Sequence, residues 1–411
     1  MTSPAVAPSP RWVPHEAYFR SDPYPWYEQL RLHDPVHRVD DHHVVLTRYE
    51  DVSRTLRSDA FSRDIDANAT APLTPVMQRR RERRDTRTKS ILNLDPPDHT
   101  RLRRLVTQAF TPRAVERLRS TTEQMVDDVI ARGLARGSME VIDELAFPVP
   151  FQVISALLDM PTDRAEELRD WSQILTATLE PTTTLEDLDR SDAAMGQLIP
   201  YLIEVIEHRR HNLGDDVVSA LITAESEGDR LDMTELIIFV VLLYVAGHET
   251  TVNLIGNGLL ALLRNPDQLE RWRNDPSLDA SAVDELLRFD GPVQHTVRIP
   301  METVTYTGAV GEPIVVEPGQ VVTTALGAAN HDPGMFPDPH RLILDRPNSQ
   351  RHMAFASGIH YCLGASLARM EATVALSRLI RAADRIELAG EPTWRERYTI
   401  RGVDHLPITF G

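Results

Sequence analysis

The sequence is poor in cysteine, lacks a long apolar run and has a deficit of positive charge. One cysteine among 411 residues excludes a scaffold held by internal disulfides and is typical of a reducing compartment. The longest apolar run, residues 236–247, is shorter than the roughly 18 residues of a membrane span, and the first residues do not resemble a targeting segment. A formal net charge of −17 argues against bulk binding of nucleic acid or anionic membranes. We therefore expect a cytoplasmic protein that binds neither nucleic acid nor membrane.

The composition predicts a folded protein with a large core. Hydrophobic residues make up 42% of the chain and charged residues 26%, as in soluble globular proteins. Proline-rich residues 1–14 predict a flexible arm, and the absence of a linker in residues 15–411 predicts a single domain. Helical patterns fill residues 98–265, with a polar helix–helix connection at 176–195. After Arg288 an alternating pattern predicts a small antiparallel sheet, so the expected fold class is mainly α with a small β-rich subdomain.

The lone cysteine, Cys362, lies in the segment FASGIHYCLG, directly before a helical pattern. A thiolate at a helix N-terminus is stabilised by free backbone N–H groups and by the positive end of the helix dipole. Gly358 and Gly364 allow the backbone and a flat partner to approach closely. Such a thiolate can bind a metal or attack a carbonyl, but attack needs a base that the sequence cannot place against the sulfur. An inert small hydrophobe is the alternative.

A second feature is a long helix predicted over residues 232–265. Asp232 can cap it while Glu235 reaches back, and its length would be about 50 Å. The motif AGHETT in its middle places an acid and hydroxyls directly after an apolar run, and a Thr hydroxyl can bond back to a carbonyl one turn earlier. The alternative is a core helix that emerges into solvent at His248. A metalloprotease HExxH motif is excluded because position 252 is Val.

The remaining features are one acid–base pair and several scattered cations. Glu285 and Arg288 lie three apart in ELLR and can pair on one helix face. Each of the scattered cations alone reads as a surface charge, but together they could hold a buried dianion. These cations are His99, Arg103, Arg298 and His360.

Together these features resemble the cytochrome P-450 superfamily, the haem-thiolate monooxygenases, of the soluble bacterial type. FASGIHYCLG is similar to the haem-binding loop, AGHETT to the oxygen-activation motif, ELLR to the Glu-x-x-Arg pair, and DPPDHTRLRRLV to the segment that carries a propionate-binding His and Arg. The motifs occur in the family's order along nearly the whole chain. The resemblance implies a cytochrome P-450 fold with a long central helix over the haem and the cysteine loop on its proximal side.

The resemblance also implies roles for the residues of these motifs. Cys362 would be the axial ligand of the iron in haem b, and thiolate ligation favours O–O cleavage. Thr250 would hydrogen-bond the dioxygen and Glu249 would relay protons to it. Glu285 and Arg288 would form a buried structural pair. The residues that would hold the haem, or leave room beside it, are His99, Arg103, Ala246, Gly247, Arg298, Phe355, Gly358, His360, Cys362 and Gly364.

Three further expectations concern the surroundings of this site. Arg341 would be the third partner of the structural pair. Ala356 stands where the family usually has glycine, and alanine is tolerable there if φ is negative. The pocket would be lined by the loop at 62–92, the connection at 175–195, the central helix, and a turn near 397–402. Individual lining residues would be Leu242, Val245, Ala246, Pro292 and Val293.

The reaction implied is insertion of one atom of O2 into a C–H or C=C bond of a small, largely apolar molecule, such as a natural product. No G-x-G-x-x-G motif follows a strand, so electrons would come from a separate partner. The resemblance implies that this partner is a ferredoxin with its NAD(P)H-dependent reductase, and we expect it to dock on the basic stretch at 101–119 of a monomer. Alternatives are a haem-thiolate peroxygenase or oxidative coupling enzyme, a haem-free cysteine hydrolase and a haem-binding sensor. The intact pair Glu249 and Thr250 favours the O2 route, because peroxide would not need a proton relay.

Overall fold

The structure is a computed structural model that describes residues 11–65, 70, 72, 74–84, 89–161, 164–226 and 228–411. The helices among these residues are α1 Ala17–Ser21, α2 Tyr24–His33, α3 Tyr49–Arg57, α4 Pro75–Arg84, α5 Asp98–Thr107, α6 Pro112–Arg136, α7 Pro148–Leu157, α8 Ala165–Ala177, α9 Leu185–His211, α10 Val217–Thr223, α11 Met233–Arg264, α12 Pro266–Asn274, α13 Asp279–Asp290, α14 Leu326–Asn330 and α15 Ala365–Arg381. The strands are β1 Val36–Asp40, β2 His43–Leu46, β3 Phe61–Ser62, β4 Ser138–Glu140, β5 Glu225–Ser226, β6 Asp229–Arg230, β7 His295–Pro300, β8 Val304–Thr307, β9 Pro313–Val316, β10 Val321–Ala325, β11 Ile386–Leu388, β12 Thr393–Trp394, β13 Val403–His405 and β14 Pro407–Phe410. Short 3-10 turns lie at Ile91–Asn93, Pro276–Leu278, Ser349–Arg351 and Gly358–His360, and a π-helical turn at Ile142–Ala146. The predicted class, mainly α with a small β-rich region, is confirmed.

The long central helix, α11, begins and ends where its sequence signals predict. Asp232 accepts a hydrogen bond from the Glu235 N–H at 2.8 Å, and the Glu235 carboxylate accepts one from the Asp232 N–H at 3.1 Å. By length and composition α11 could span a membrane, but 61% of its most apolar window is buried inside the molecule. It packs against α7, α13 and α15 and therefore forms the centre of the core.

The main sheet joins strands from residues 36–62 with strands from residues 295–325. Its strand order is β1-β2-β10-β7-β3, and β10 runs parallel to β2 with Val321 opposite His43. The prediction of a separate antiparallel sheet after Arg288 was therefore wrong in part. Residues that alternate apolar and polar predict a strand, but they carry no information about a partner strand so far away in sequence.

Two other boundaries differ from the sequence prediction. The connection predicted over 176–195 is shorter, because Thr184 and Asp187 form a capping box that begins α9 at Leu185. The predicted arm over 1–14 falls partly on residues 1–10, outside the described residues. Within the described part of that arm, Trp12 is 9% exposed and stacks on Tyr27 with ring centroids 6.0 Å apart, so the chain already packs against the core at this point.

Candidate active site

Cys362 lies in the short segment between the 3-10 turn Gly358–His360 and helix α15. Its backbone N–H donates to the Phe355 carbonyl at 3.1 Å, which closes the loop. Cys362 is exposed. Burial raises the pKa of its thiol, whereas a hydrogen bond from the Gly364 N–H and the charges of Arg103 and Arg369 lower it. The sulfur is thus accessible, but burial outweighs these groups and the pKa of the thiol remains raised.

The loop backbone before the cysteine bends through two residues with positive φ. Gly358 has φ of 75°, and a Cβ there would lie 2.3 Å from the Leu56 carbonyl oxygen, so only glycine fits. Ala356 has φ of 57°, in the left-handed region. The condition under which alanine would be tolerable at this position, a negative φ, is therefore not met, and Ala356 occupies a backbone conformation that favours glycine. Gly364, the residue before α15, has no atoms within 4 Å of the position a Cβ would take.

Side chains from α13 and α15 pack against the cysteine loop. The Arg369 guanidinium lies 4.7 Å from the centroid of the Phe355 ring, and its Nε donates to the Asp284 carboxylate at 2.7 Å. The Tyr361 ring meets Phe355 edge-on at 6.2 Å. Phe355 therefore lies next to the cysteine loop as expected, and a charged network from α13 and α15 holds it there.

The four cations that the sequence suggested lie in one cluster beside this loop. The imidazole centroids of His99 and His360 are 4.2 Å apart, and Arg103 donates from Nη2 to the Tyr361 carbonyl at 2.8 Å. Burial, followed by His99, Arg298 and other cations, lowers the pKa of His360 to about 3. Burial also lowers the pKa of Arg298 to about 9, with Arg63 as a second cause.

Arg63 is a fifth member of this cation cluster, and the sequence analysis missed it. Burial lowers its pKa to about 10, and its Nη1 donates to the Val297 carbonyl at 3.3 Å. The carboxylate near Arg63, Asp95, already accepts from the Arg63 N–H at 2.8 Å and from the Ser62 hydroxyl. No local signal distinguishes Arg63 in the sequence, because its burial depends on the pairing of β3 with β7.

This cluster fits a group with two negative charges. Its basic side chains depress one another's pKa values, and the buried Nε2 of His360 has no hydrogen-bond partner among the described residues. A buried excess of positive charge is stable only if an anion neutralises it. The two propionates of a porphyrin would supply those charges beside the cysteine. The donor set therefore fits haem on the chemistry of its own residues.

The middle of the central helix turns one face towards accessible space. Leu242, Ala246 and Thr250, spaced four residues apart, are half-buried on a helix that is mostly buried here. The Thr250 hydroxyl donates to the Ala246 carbonyl at 3.0 Å, the bond to the preceding turn that the sequence suggested. Val245 is buried, with 8% exposure. Gly247 faces helix α7, since a Cβ there would lie 3.2 Å from the Ile154 Cδ1 atom.

Glu249 is buried and held by two arginines from the C-terminal hairpin. It is 2% exposed, its carboxylate accepts a hydrogen bond from Arg395, and Arg397 lies 3.2 Å from the same oxygen. His248 is fully buried, and a proton on its Nδ1 would donate to the Tyr244 carbonyl at 2.6 Å. Burial lowers the pKa of His248 to about 4, so this imidazole is neutral at pH 7. The alternative of a helix that emerges into solvent at His248 is excluded.

Glu285 and Arg288 form a buried pair, with Glu285 Oε2 at 2.8 Å from Arg288 Nε. Their third partner is Arg346, not Arg341 as predicted. Arg346 is 4% exposed and its Nε lies 3.1 Å from both oxygens of Glu285, whereas Arg341 is exposed and contributes only its backbone carbonyl. Both arginines follow α14 in an irregular segment, and only the path of the backbone decides which one turns inwards.

The remaining walls come from three separate segments. Pro292 is buried, and its carbonyl accepts from the Arg401 N–H at 2.8 Å. Val293 is half-buried and forms a bridge with Ile400 of the C-terminal turn. The connection at 178–184 lies against the same turn through Glu180, a buried carboxylate that the sequence analysis missed. Parts of the predicted wall at 62–92 fall outside the described residues.

Comparison with known proteins gives one family. A family model described as Cytochrome P450 matches residues 34–384. Cytochrome P450 107B1 of Saccharopolyspora erythraea is 40% identical over 405 residues, which cover 96% of each chain. Vitamin D(3) 25-hydroxylase of Pseudonocardia autotrophica is 39% identical over 409 residues, which cover 96% of this chain and 95% of the relative. The solved structure of cytochrome P450 PksS of the Bacillus subtilis bacillaene polyketide synthase has a TM-score of 0.87 at 33% identity, covering 97% of this chain and 100% of that one.

Proposed function

This chain belongs to the cytochrome P450 family, and on that premise we propose that it oxygenates a small, largely apolar natural product with electrons from a ferredoxin. It is a P450 monooxygenase of the bacterial type, a family that uses haem and O2. The observation that carries the proposal is the accessible Cys362 sulfur beside a cluster of basic side chains in which the buried Nε2 of His360 has no hydrogen-bond partner among the described residues.

The residues of the cysteine loop and the cation cluster would hold the cofactor, which we take to be haem b. Cys362 would ligate the iron, and Gly358 and Gly364 would leave the loop backbone free to lie close to it. When bound, haem supplies the oxidising centre that inserts one atom of O2 into the substrate. The propionates would be bound by His99, Arg103, Arg298 and His360, with Arg63 as a further cation.

The chain's own contribution to the reaction is control of protons and water. Thr250 offers a hydroxyl on the accessible face of the central helix, although it now donates to the Ala246 carbonyl. Glu249 is the adjacent acid, and its buried carboxyl group pairs with Arg395 and Arg397. We propose that Glu249 passes protons to Thr250 when one of these arginines moves.

The substrate class follows from the apolar walls of the pocket. The proposed lining residues, Leu242, Val245 and Ala246 on the central helix and Pro292 and Val293 before β7, all have hydrocarbon side chains. The names of similar proteins agree with this class, since one relative is a vitamin D(3) hydroxylase and another belongs to polyketide biosynthesis. We propose hydroxylation or epoxidation of a polyketide or terpenoid type of molecule.

The electron donor that we propose is a ferredoxin with its NAD(P)H-dependent reductase, docked on part of the basic stretch at 101–119. Arg101 pairs with Asp229 and Glu235, and Arg119 pairs with Glu116, so these cations are neutralised within the chain. Exposed residues of the same stretch, such as Arg113, are better suited to contact an acidic partner. We take the enzyme to be a monomer of the cytoplasm.

A peroxygenase or an oxidative coupling enzyme is the second candidate, because both use the same haem-thiolate centre. What disfavours it is the presence of both Glu249 and Thr250, adjacent in the central helix, because a peroxide-driven reaction would not need their proton relay. Product formation from hydrogen peroxide alone, at the rate reached with ferredoxin and NAD(P)H, would favour this candidate.

The reduced protein's carbon monoxide complex tests the central proposal. A thiolate ligand gives a strongly red-shifted Soret band, and Cys362→Ala should remove it. A protein purified without porphyrin, or one whose band does not depend on Cys362, would contradict the assignment. Titration with a library of natural products, followed by the spin state of the iron, then identifies the substrate class.

A further inference from the structure

Glu180 is a buried carboxylate with partners on a distant segment. It lies in the connection at 178–184 between α8 and α9 and is 3% exposed. Its Oε2 accepts hydrogen bonds from the N–H groups of Tyr398 at 3.3 Å and Thr399 at 3.1 Å, and its Oε1 accepts one from Ile400 at 3.1 Å. Three consecutive backbone donors thus converge on one carboxyl side chain.

The turn that Glu180 binds lies in the wall that we propose for the ligand pocket. Ile400 pairs with Val293, and the Thr399 carbonyl accepts from the Gln294 N–H at 3.0 Å. A few residues earlier, Arg397 lies 3.2 Å from Glu249 of the central helix. The turn at 398–400 is therefore fixed between the central helix and the start of β7. Glu180 joins this turn to the connection at 178–184.

The connection itself is short and joins two long helices, α8 and α9. Its first residue, Thr178, accepts from Arg80 of α4 at 2.6 Å, and Thr183 donates to the Ala177 carbonyl at 3.3 Å. These contacts hold the connection to α4 and to the end of α8. The bonds of Glu180 hold it to the pocket wall, so Glu180 determines how far the connection stands from the turn.

We propose that Glu180 is a specificity-determining residue that limits the size of ligands by holding the connection at 178–184 on the turn at 398–400. The inference rests on the proposed function, because it takes the space beside Cys362 and Thr250 as the ligand pocket. Small ligands pass without separating the two segments. Bulky ligands must break the three hydrogen bonds first, so their entry is slow.

The test compares two haem ligands of different size, imidazole and clotrimazole, on the purified holoprotein. Stopped-flow absorption gives the association rate constant of each, and the ratio of the two constants measures discrimination by size. In Glu180→Ala the constant for clotrimazole should rise about tenfold more than that for imidazole. Glu180→Gln keeps an oxygen acceptor and should give an intermediate ratio. The matched control is Glu186→Gln, an exposed carboxylate at the start of α9 that should leave the ratio unchanged.

Amide hydrogen exchange measures the contact directly. The N–H groups of residues 398–400 should exchange about tenfold faster in Glu180→Ala than in the wild type. An unchanged ratio of rate constants, or unchanged exchange at these amides, overturns the proposal. If Glu180→Ala fails to retain haem, the ratio of the two association rate constants in Glu180→Gln tests the proposal instead. Failure of the proposed function is distinguishable, because the wild-type protein would then lack the thiolate spectrum before any variant is made.

Discussion

The Nε atom of Arg346 lies 3.1 Å from both carboxylate oxygens of Glu285, and this contact completes a buried group of two arginines around one acid. Arg346 also donates to the carbonyls of Asp338 and Arg341 at 3.2 Å and 3.0 Å. Glu285 in turn accepts from the Ile343 N–H at 3.0 Å. The irregular segment before the cysteine loop is therefore fixed by side chains instead of by regular secondary structure.

Arg346→Ala should lower the free energy of unfolding by about 3 kcal/mol, because it removes a buried charge partner and leaves several carbonyls without a donor. Arg341→Ala is the matched control and should change it by less than about 0.5 kcal/mol, since that side chain is exposed. Urea unfolding followed by tryptophan fluorescence measures both. Equal losses in the two variants would contradict the assignment of Arg346.

Ala356→Gly should stabilise the protein by about 1 kcal/mol. Alanine at φ of 57° carries the left-handed penalty that glycine avoids, although glycine loses more backbone entropy on folding. The control is Ala382→Gly, at φ of −79°, which should destabilise by about 0.5 kcal/mol. Thermal unfolding of the two variants should give shifts of opposite sign. A lower melting temperature for Ala356→Gly would show that the loop gains from the alanine methyl group.

Thr250→Ala should retain haem and bind substrate but divert electrons to hydrogen peroxide, because the hydroxyl on the accessible helix face would be lost. Peroxide released per NAD(P)H consumed, in a reaction with ferredoxin and reductase, measures this loss. Thr251→Val removes the neighbouring hydroxyl, which is 1% exposed and lies 3.4 Å from the Gly247 carbonyl. That control should stay coupled. Full coupling in Thr250→Ala would refute the role of Thr250.

Stability should fall as the pH decreases from about 6.5 to about 4, in part because of His248. Its pKa in the folded state is about 4, whereas an unfolded chain protonates histidine near 6.5. Between these values only the unfolded chain takes up the proton, so up to about 3 kcal/mol is lost as the pH falls. His248→Phe carries no titrating group and should show a shallower fall in the free energy of unfolding. The exposed control His208→Phe should keep the wild-type slope, and parallel curves for wild type and His248→Phe would contradict the prediction.

Arg113→Glu should slow reduction by ferredoxin severalfold at low salt. Arg113 is exposed at the start of α6, and the difference from wild type should shrink as salt screens the charges. Arg210→Glu makes the same charge change on an exposed residue of α9 and should leave the rate unchanged. Stopped-flow reduction under carbon monoxide measures both. Equal rates for Arg113→Glu and the control would place the docking surface elsewhere.

Local signals in the sequence predicted much of the fold. The capping box at Asp232 fixed the start of the central helix, and the glycines around Cys362 predicted a loop that presents the sulfur. These features depend on residues a few positions apart, whose interactions do not require the rest of the chain. The sequence did not indicate the functional residues whose contacts depend on segments far away along the chain. Glu180 binds backbone donors more than two hundred positions away, and nothing in its neighbourhood indicates them.

The third arginine of the Glu285 group illustrates the same limit. Two arginines, Arg341 and Arg346, follow the same helix, and a pattern of residue types suits either. The structure selects Arg346 because the Ile343 N–H already donates to Glu285, which turns the following residues inwards. Ala356 is a different case. The residue type argued for negative φ, but the geometry of the cysteine loop outweighs an intrinsic preference of about 1–2 kcal/mol.

The last strand of the chain, β14, pairs with β4, and so links residues at Pro407 and Glu140 that the ribosome makes far apart in time. During synthesis the edge of β4 must wait without its partner until residues 407–410 have left the exit tunnel. A nascent chain in this state offers an open strand to other chains. A stop codon before Pro407 would leave that edge permanently uncovered, and such products should be removed by proteases or collected by chaperones although every motif of the active site has been made.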